Sequence, residues 1–227
     1  MSAVGCAILA AGASRRLGRP KQLVQFRGNE LVRHLALQAL GSKADHLAVI
    51  VGASAEQVVP AVGELPLNCV VNLGWREGIA SSIRCAAHWA AQKNLDALIL
   101  MTCDQPHLEA AHLDRLVAEH ETGATQVASR YADVVGVPAL FSATVFRRLF
   151  ALNGDAGAAA LLREDPHTRS VEWPAGQIDL DTTRDLALLS DDKEKAIRRG
   201  QPIAEGKERQ GRFLPLAHQV RTASPDT

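Results

Sequence analysis

Near the N-terminus, Leu9-Ala10-Ala11-Gly12-Ala13-Ser14-Arg15-Arg16-Leu17-Gly18-Arg19-Pro20-Lys21 joins small residues to closely spaced cations. Small side chains let backbone N–H groups approach phosphate oxygens, and Arg16 and Lys21 can neutralise the charge those oxygens carry. The stretch reads as a phosphate cradle, with Leu9, Ala10, Ala11, Gly12, Ser14, Arg16 and Lys21 as candidate nucleotide-binding residues. It is not G-x-x-x-x-G-K-[ST], because no Ser or Thr follows Lys21, and it is not G-x-G-x-x-G. That spacing disfavours a P-loop hydrolase. Asp104 follows an apolar run, where a carboxylate can hold Mg²⁺ against phosphate oxygens. Capping a helix that begins near Leu108, or turning with Pro106, are the other uses open to it. Ser81 and Ser82 open an Ala-rich stretch, where their hydroxyls could meet a nucleobase or ribose or cap a helix. Trp75 could pack beside the base or simply be half-buried. None of the histidines forms an H-x-x-x-H pair, so no role is assigned to any and most are expected at the surface.

The elements that must position these groups alternate. Val4 to Leu9 is a short apolar run that predicts a buried strand ending at the cradle. A helix is predicted over Leu31 to Leu40 from apolar residues at helical spacing, stopped by Gly41. Strands follow at His46 to Val51, Cys69 to Val71 and Ala97 to Met101, with helices at Ala55 to Val62 and Ser81 to Gln92 between them. Strands and helices alternating at this pace form βαβ units, which close by right-handed crossovers into a doubly wound, mainly parallel α/β sheet with helices on both faces. Ligands bind at the carboxyl ends of the strands in such sheets, where the cradle and Asp104 fall.

The second half is less regular and is expected to form an acceptor lobe. It carries a helix over Leu108 to His120, strands at Thr125 to Ser129 and Val134 to Phe141, and helices at Ala143 to Leu152 and Ala156 to Arg163. Ser170 to Trp173 and Ile178 to Leu180 are short strand candidates, and a final helix spans Thr183 to Leu189, capped by Asp181 or Thr182. One domain is expected over 1–190, then a charged, poorly ordered tail over 191–227 whose only apolar knot is Phe213-Leu214-Pro215-Leu216.

With 227 residues, one α/β domain can bury a full core. Lys plus Arg (25) equals Asp plus Glu (25), so no global field favours nucleic acid or an anionic membrane. Aromatics are only 4% of the chain, which leaves Ala, Val, Leu and Ile to build the core. Cys6, Cys69, Cys85 and Cys103 are scattered, which argues against a zinc site or a disulfide framework and fits a reducing cytoplasm. The apolar N-terminal run is too short to span a bilayer, and Arg15 and Arg16 follow it rather than precede it, so no signal peptide is expected.

The loop pattern A-A-G-x-S-x-R-x-G-x-x-K resembles the signature of the nucleotidyltransferases related to the molybdenum cofactor guanylyl- and cytidylyltransferases. Further segments follow in that family's order: Asn72-Leu-Gly-Trp75-Arg-Glu-Gly78-Ile-Ala-Ser81-Ser82-Ile-Arg84, Cys103-Asp104-Gln105-Pro106, Gly136-Val-Pro138, Gly154-Asp155-Ala-Gly157 and Asp179-Leu-Asp181-Thr182. The resemblance runs from Val4 to Leu189 and implies a Rossmann-like nucleotidyltransferase fold. Ala10-Ala11-Gly12 and Arg19-Pro20-Lys21-Gln22-Leu23 look more like the cytidylyl branch. What this implies is transfer of CMP from CTP to the phosphate of molybdenum-bearing molybdopterin, with release of pyrophosphate. Arg16, Lys21 and Asp104 would be catalytic, and Asp104 with Asp181 would hold Mg²⁺, Asp179 being the alternate. Gly136, Pro138, Gly154 and Asp155 would face the acceptor, although composition alone reads Gly154 to Gly157 equally well as a polar turn. The partners implied are CTP, a molybdopterin-type acceptor, and a molybdoenzyme or its maturation chaperone.

Two positions depart from the family pattern. Val137 stands where relatives often carry a polar residue, and Ala159 where an Arg is common. Other readings compatible with the sequence are a transferase of the same fold using another nucleotide or a sugar or alditol phosphate, and a non-catalytic nucleotide- or cofactor-binding maturation factor.

Overall fold

The computed structural model describes residues 2–180, Asp185, Arg221 and Thr222. Strand β1 (Val4–Ala10) is buried along its whole length. Its alternate side chains serve two cores, Val4, Cys6, Ile8 and Ala10 on one face and Ala7 and Leu9 on the other. A strand covered on both faces must be apolar throughout, which is why this run shows no alternation.

β1 pairs in parallel with β4 (His46–Val51) on one side and with β6 (Ala97–Thr102) on the other. β5 (Asn68–Val71) lies outside β4, also parallel. The chain thus moves outward from β1 to β4 and β5, then returns across to β6. Helices α1 (Leu31–Leu40) and α2 (Ala55–Val62) make the outward crossovers and pack on the first face, while α3 (Ile79–Gln92) makes the return on the opposite face. This reversal creates a crevice above the carboxyl ends of β1 and β6.

Beyond β6 the sheet is mixed. β8 (Val134–Ser142) is antiparallel to both β6 and β7 (Gln126–Tyr131), and β9 (Arg169–Glu172) runs parallel to β7. Strand β10 (Arg221–Thr222) is parallel to β5, giving an eight-stranded order β10-β5-β4-β1-β6-β8-β7-β9. Helix α4 (Ala110–Glu121) covers the first face, and α5 (Phe146–Phe150) and α6 (Ala159–Glu164) complete the second. The sheet is mainly parallel with helices on both faces, as the sequence predicts. Among the described residues no helix is long and apolar enough to cross a membrane.

Several expectations are corrected. A two-residue hairpin, β2 (Gln25–Phe26) and β3 (Asn29–Glu30), precedes α1 and turns on Arg27 and Gly28, both at positive φ. Strands this short carry no periodicity to read. Ile178 to Leu180 is not a strand; instead the Leu180 N–H donates to the Asp104 carbonyl at 2.7 Å. The expected final helix lies outside the described residues except for Asp185, as does the tail apart from Arg221 and Thr222.

Most histidines are expected at the surface from sequence, but His34 and His112 are buried. His34 sits edge-on to Phe26 with ring centroids 4.9 Å apart, and His112 stacks on Trp173 at 4.9 Å. His112 Nε2 contacts Ser129 Oγ at 2.6 Å and Arg115 donates to its Nδ1 at 2.9 Å, while Ser129 Oγ donates to the Pro138 carbonyl. This chain of donors fixes a neutral imidazole protonated on Nε2. Burial first, then neighbouring cations, lowers both imidazoles from 6.5 to about 4.

In the unfolded chain these rings take up a proton near pH 6.5; in the folded chain they stay neutral to about pH 4. The unfolded state therefore binds more protons in between, so their contribution is complete above pH 6.5 and lost as pH falls toward 4. Thermal melts should show Tm declining between about pH 6.5 and 5, above the range of ordinary carboxylates. The double variant His34→Gln/His112→Gln should be less stable at neutral pH but flatter over that window.

Candidate active site

The loop after β1 is shaped from below by Gln22, which is buried. Its side-chain amide donates to the carbonyls of Ala10 at 2.7 Å and Gly12 at 2.9 Å. The Lys21 N–H donates to Ser14 Oγ at 3.0 Å, and Leu17 N–H donates to the Ser14 carbonyl at 3.0 Å. Ser14 and Gly18 both have positive φ, 50° and 71°. The glycine takes that conformation freely; the serine is held in it by these hydrogen bonds. The result is a cavity of about 230 Å³ lined by Gly12, Ser14, Arg15, Arg16, Leu17 and Lys21. Leu9, Ala10 and Ala11 are buried beneath, so they can offer a ligand only main chain.

Lys21 reaches across the crevice. Its Nζ lies 2.8 Å from Asp104 Oδ2, both side chains about one-fifth exposed. Asp104 therefore does not cap α4, which starts at Ala110 behind Glu109. The ammonium shows that this carboxylate is placed to take a cation, and hard carboxylate oxygens suit Mg²⁺ or Mn²⁺. A second carboxylate is near: Asp179 and Asp104 both help to raise the Tyr131 phenol, after burial as the main cause. Asp181 lies outside the described residues, immediately after the Leu180 that is anchored on Asp104. Among the described residues no three metal-ligating side chains already converge.

Gln105 and Tyr131 line the same edge. Both donate to the Val137 carbonyl at 3.3 Å, so Gly136, Val137 and Pro138 flank Asp104 through β8, where the pairing with β7 shifts register after Ala128. Gly154 and Asp155 lie elsewhere, at the start of α3. The Ala80 N–H donates to the Gly154 carbonyl at 3.1 Å, and a Cβ on Gly78 would strike Gly154 and Asp155. Gly78 (φ 124°) is thus required both for its conformation and for that approach. The residues assigned to an acceptor accordingly form two separate flanks, one beside Asp104 and one beside α3.

Ser81 and Ser82 lie inside α3, which begins two residues earlier than the sequence predicts. Asn72, at the end of β5, donates to both hydroxyls, at 2.8 and 3.0 Å, and Ser81 Oγ donates in turn to the Gly78 carbonyl at 2.8 Å. All three side chains are buried. Trp75 adjoins Gly52, and its neighbour Gly74 adjoins Asn72 and Ser81. A Cβ on Gly52, at the end of β4, would meet Ala11 at 2.8 Å and Trp75 Cβ at 2.9 Å.

Residues 6–170 match the model of the MobA-like NTP transferase domain. The chain belongs to this family. Among relatives, it is 32% identical over 168 residues to nicotine blue oxidoreductase of Paenarthrobacter nicotinovorans, covering 70% of this chain and 81% of that protein. The solved Rv0371c homologue of Mycobacterium sp. strain JC1 is 32% identical and superimposes with a TM-score of 0.74 over 85% of this chain and 98% of its own. Rv0371c of Mycobacterium tuberculosis H37Rv, solved in complex with manganese, is 28% identical with a TM-score of 0.69 over 84% and 99% of the two chains.

In this MobA-like nucleotidyltransferase, Gln22, Asn72, Gln105 and Tyr131 help build the site without having been assigned roles from sequence. Asn72 and Gln105 had a signal: each stands just past the carboxyl end of a parallel strand, as Asp104 does. Gln22 and Tyr131 had none beyond their neighbours. The four cysteines carry no chemistry here; all are free thiols, and burial pushes Cys6 up to about 12.

Replacing Asn72 by Ala leaves the buried Ser81 and Ser82 hydroxyls without their shared donor, which costs about 1–3 kcal/mol. Urea unfolding should show a loss of that size, and Asn72→Asp should recover only part of it, because the Ser81 hydrogen is already given to the Gly78 carbonyl and only Ser82 can donate to the buried carboxylate.

Proposed function

We propose that this chain transfers CMP from CTP to the phosphate of molybdenum-bearing molybdopterin, with Mg²⁺, in the cytoplasm. The observation that carries the reading is the meeting of Lys21 and Asp104 over a small-residue loop, which puts an anion site and a cation site side by side. The manganese bound by the related Rv0371c supports a divalent cation. The choice of CTP rests on the likeness of Ala10-Ala11-Gly12 and Arg19-Pro20-Lys21-Gln22-Leu23 to the cytidylyl branch of the family.

In this reading the triphosphate lies in the loop cavity, and Lys21 exchanges the Asp104 carboxylate for phosphate oxygens. Asp104 is then left, with Asp181 or Asp179, to hold the metal. When bound, Mg²⁺ offsets negative charge on the phosphates. An oxygen of the acceptor phosphate attacks the α-phosphorus; the bond to the bridging oxygen breaks, and pyrophosphate leaves with its electron pair. Arg16 and Lys21 stabilise that charge, and no general base is needed, since a phosphate monoester is already ionised near neutral pH. The acceptor enters along the Gly136–Pro138 flank beside Asp104, with Gly154 and Asp155 bounding the other side. The product then passes to a molybdoenzyme or its maturation chaperone.

Pyrophosphate release should be seen with CTP and not with GTP, ATP or UTP, and only with molybdenum-bearing molybdopterin present. Lys21→Ala and Asp104→Ala should each lower kcat by about 10²–10³ while shifting Tm by only a few degrees, because both side chains are partly solvated. Release with another nucleotide or without the acceptor would send the reading to a different transferase, and release from none to a binding protein.

A further inference from the structure

We infer that Gln22 is the positioning residue that sets the polarity of the phosphate loop. Gln22 is 1% exposed, too deep to touch a nucleotide, and its amide is fully used. Both hydrogens of Nε2 are donated, one to the Ala10 carbonyl at 2.7 Å and one to the Gly12 carbonyl at 2.9 Å. Its Oε1 lies 3.5 Å from Ser14 Oγ, the hydroxyl that also accepts from the Lys21 N–H. One buried side chain therefore holds the loop at two carbonyls, while its neighbour Lys21 is tied to the same serine.

The consequence follows from the planar trans peptide. Each C=O is antiparallel to the N–H of the next residue, so turning the Ala10 and Gly12 carbonyls down onto Gln22 turns the Ala11 and Ala13 N–H groups the opposite way. Negative dipole ends are drawn under the loop and positive ends are turned from it, the arrangement an anion requires. Nothing else among the described hydrogen bonds restrains the Gly12 carbonyl. Without the Gln22 donors that oxygen is free to rotate toward the cavity and repel a phosphate.

This inference rests on the phosphate-loop part of the proposed function, not on the choice of base or acceptor. The probe is therefore inorganic tripolyphosphate, titrated calorimetrically into wild type, Gln22→Met and Gln22→Glu at matched Tm. Methionine keeps the length and loses both donors; it should weaken tripolyphosphate about ten-fold or more, the effect of losing a net hydrogen bond or two. Glutamate supplies a pH readout that a merely structural role would not move. Its carboxylic acid can donate to one carbonyl when protonated and to neither when ionised, so the wild-type to Gln22→Glu affinity ratio should grow as pH rises. If Gln22→Met does not fold, that pH-dependent ratio alone decides. Equal tripolyphosphate affinity in wild type and Gln22→Met, or a pH-independent ratio for Gln22→Glu, overturns this inference. Failure of the wild type itself to bind tripolyphosphate overturns the phosphate-loop reading and the inference with it.

Discussion

The ion pair between Lys21 and Asp104 is the contact around which the molecule is arranged. Two residues 83 positions apart are 2.8 Å apart in space. That closeness is possible only if β1 and β6 are adjacent, parallel and in a register that ends both at one edge. Pairing Val4 with Ala97 and Leu9 with Thr102 meets the requirement. The helices on either face then bury the strands that hold this register.

Close approach at that edge depends on missing side chains. Gly5 admits Trp89 and Leu95 under β1, Gly52 admits Ala11 and Trp75, and Gly78 admits the Gly154 loop. Wherever the backbone must come near another element or a ligand, the chain supplies glycine or alanine. The polar residues that hold these segments are amides, Gln22, Asn72 and Gln105, all buried. An amide can hold two backbone or hydroxyl groups without adding a charge that would compete with the phosphates or the cation. The framework of the site is thus built with neutral donors, while Lys21 and Asp104 pair with each other across the crevice.

Much of this was legible in the sequence. Leu31 to Leu40, His46 to Val51 and Ala55 to Val62 are read at their observed limits, because the two helical spacings stop at Gly41 and Gly63 and the apolar run between them stops at Gly52. That the loop after β1 and Asp104 lie at one edge of the sheet was legible for a related reason: both stand where the apolar run of a parallel strand stops. Ser81 and Ser82 were singled out from sequence as facing a nucleotide or capping a helix; their buried bonds to Asn72 were not read, since a hydrogen bond between Asn72 and α3 leaves no local pattern. Which histidines are buried was not legible, because a histidine's burial is decided by tertiary neighbours, Phe26 for His34 and Trp173 for His112. Gln22 entered the sequence reading only as part of Arg19-Pro20-Lys21-Gln22-Leu23, and only the folded loop shows two carbonyls converging on it.

The central place of β1 also bears on how the chain is made. Synthesis proceeds from the N-terminus, so Val-Gly-Cys-Ala-Ile-Leu-Ala emerges before both of its sheet partners, and the second of them, β6, ends only at Thr102. During that interval one edge of an uncharged, fully apolar strand has no native neighbour. Segments of this kind are the ones that pair with copies of themselves. A nascent chain therefore carries a hazard of association until β6 and Asp104 have been polymerised, and the interval is set by the strand order rather than by the stability of the finished domain.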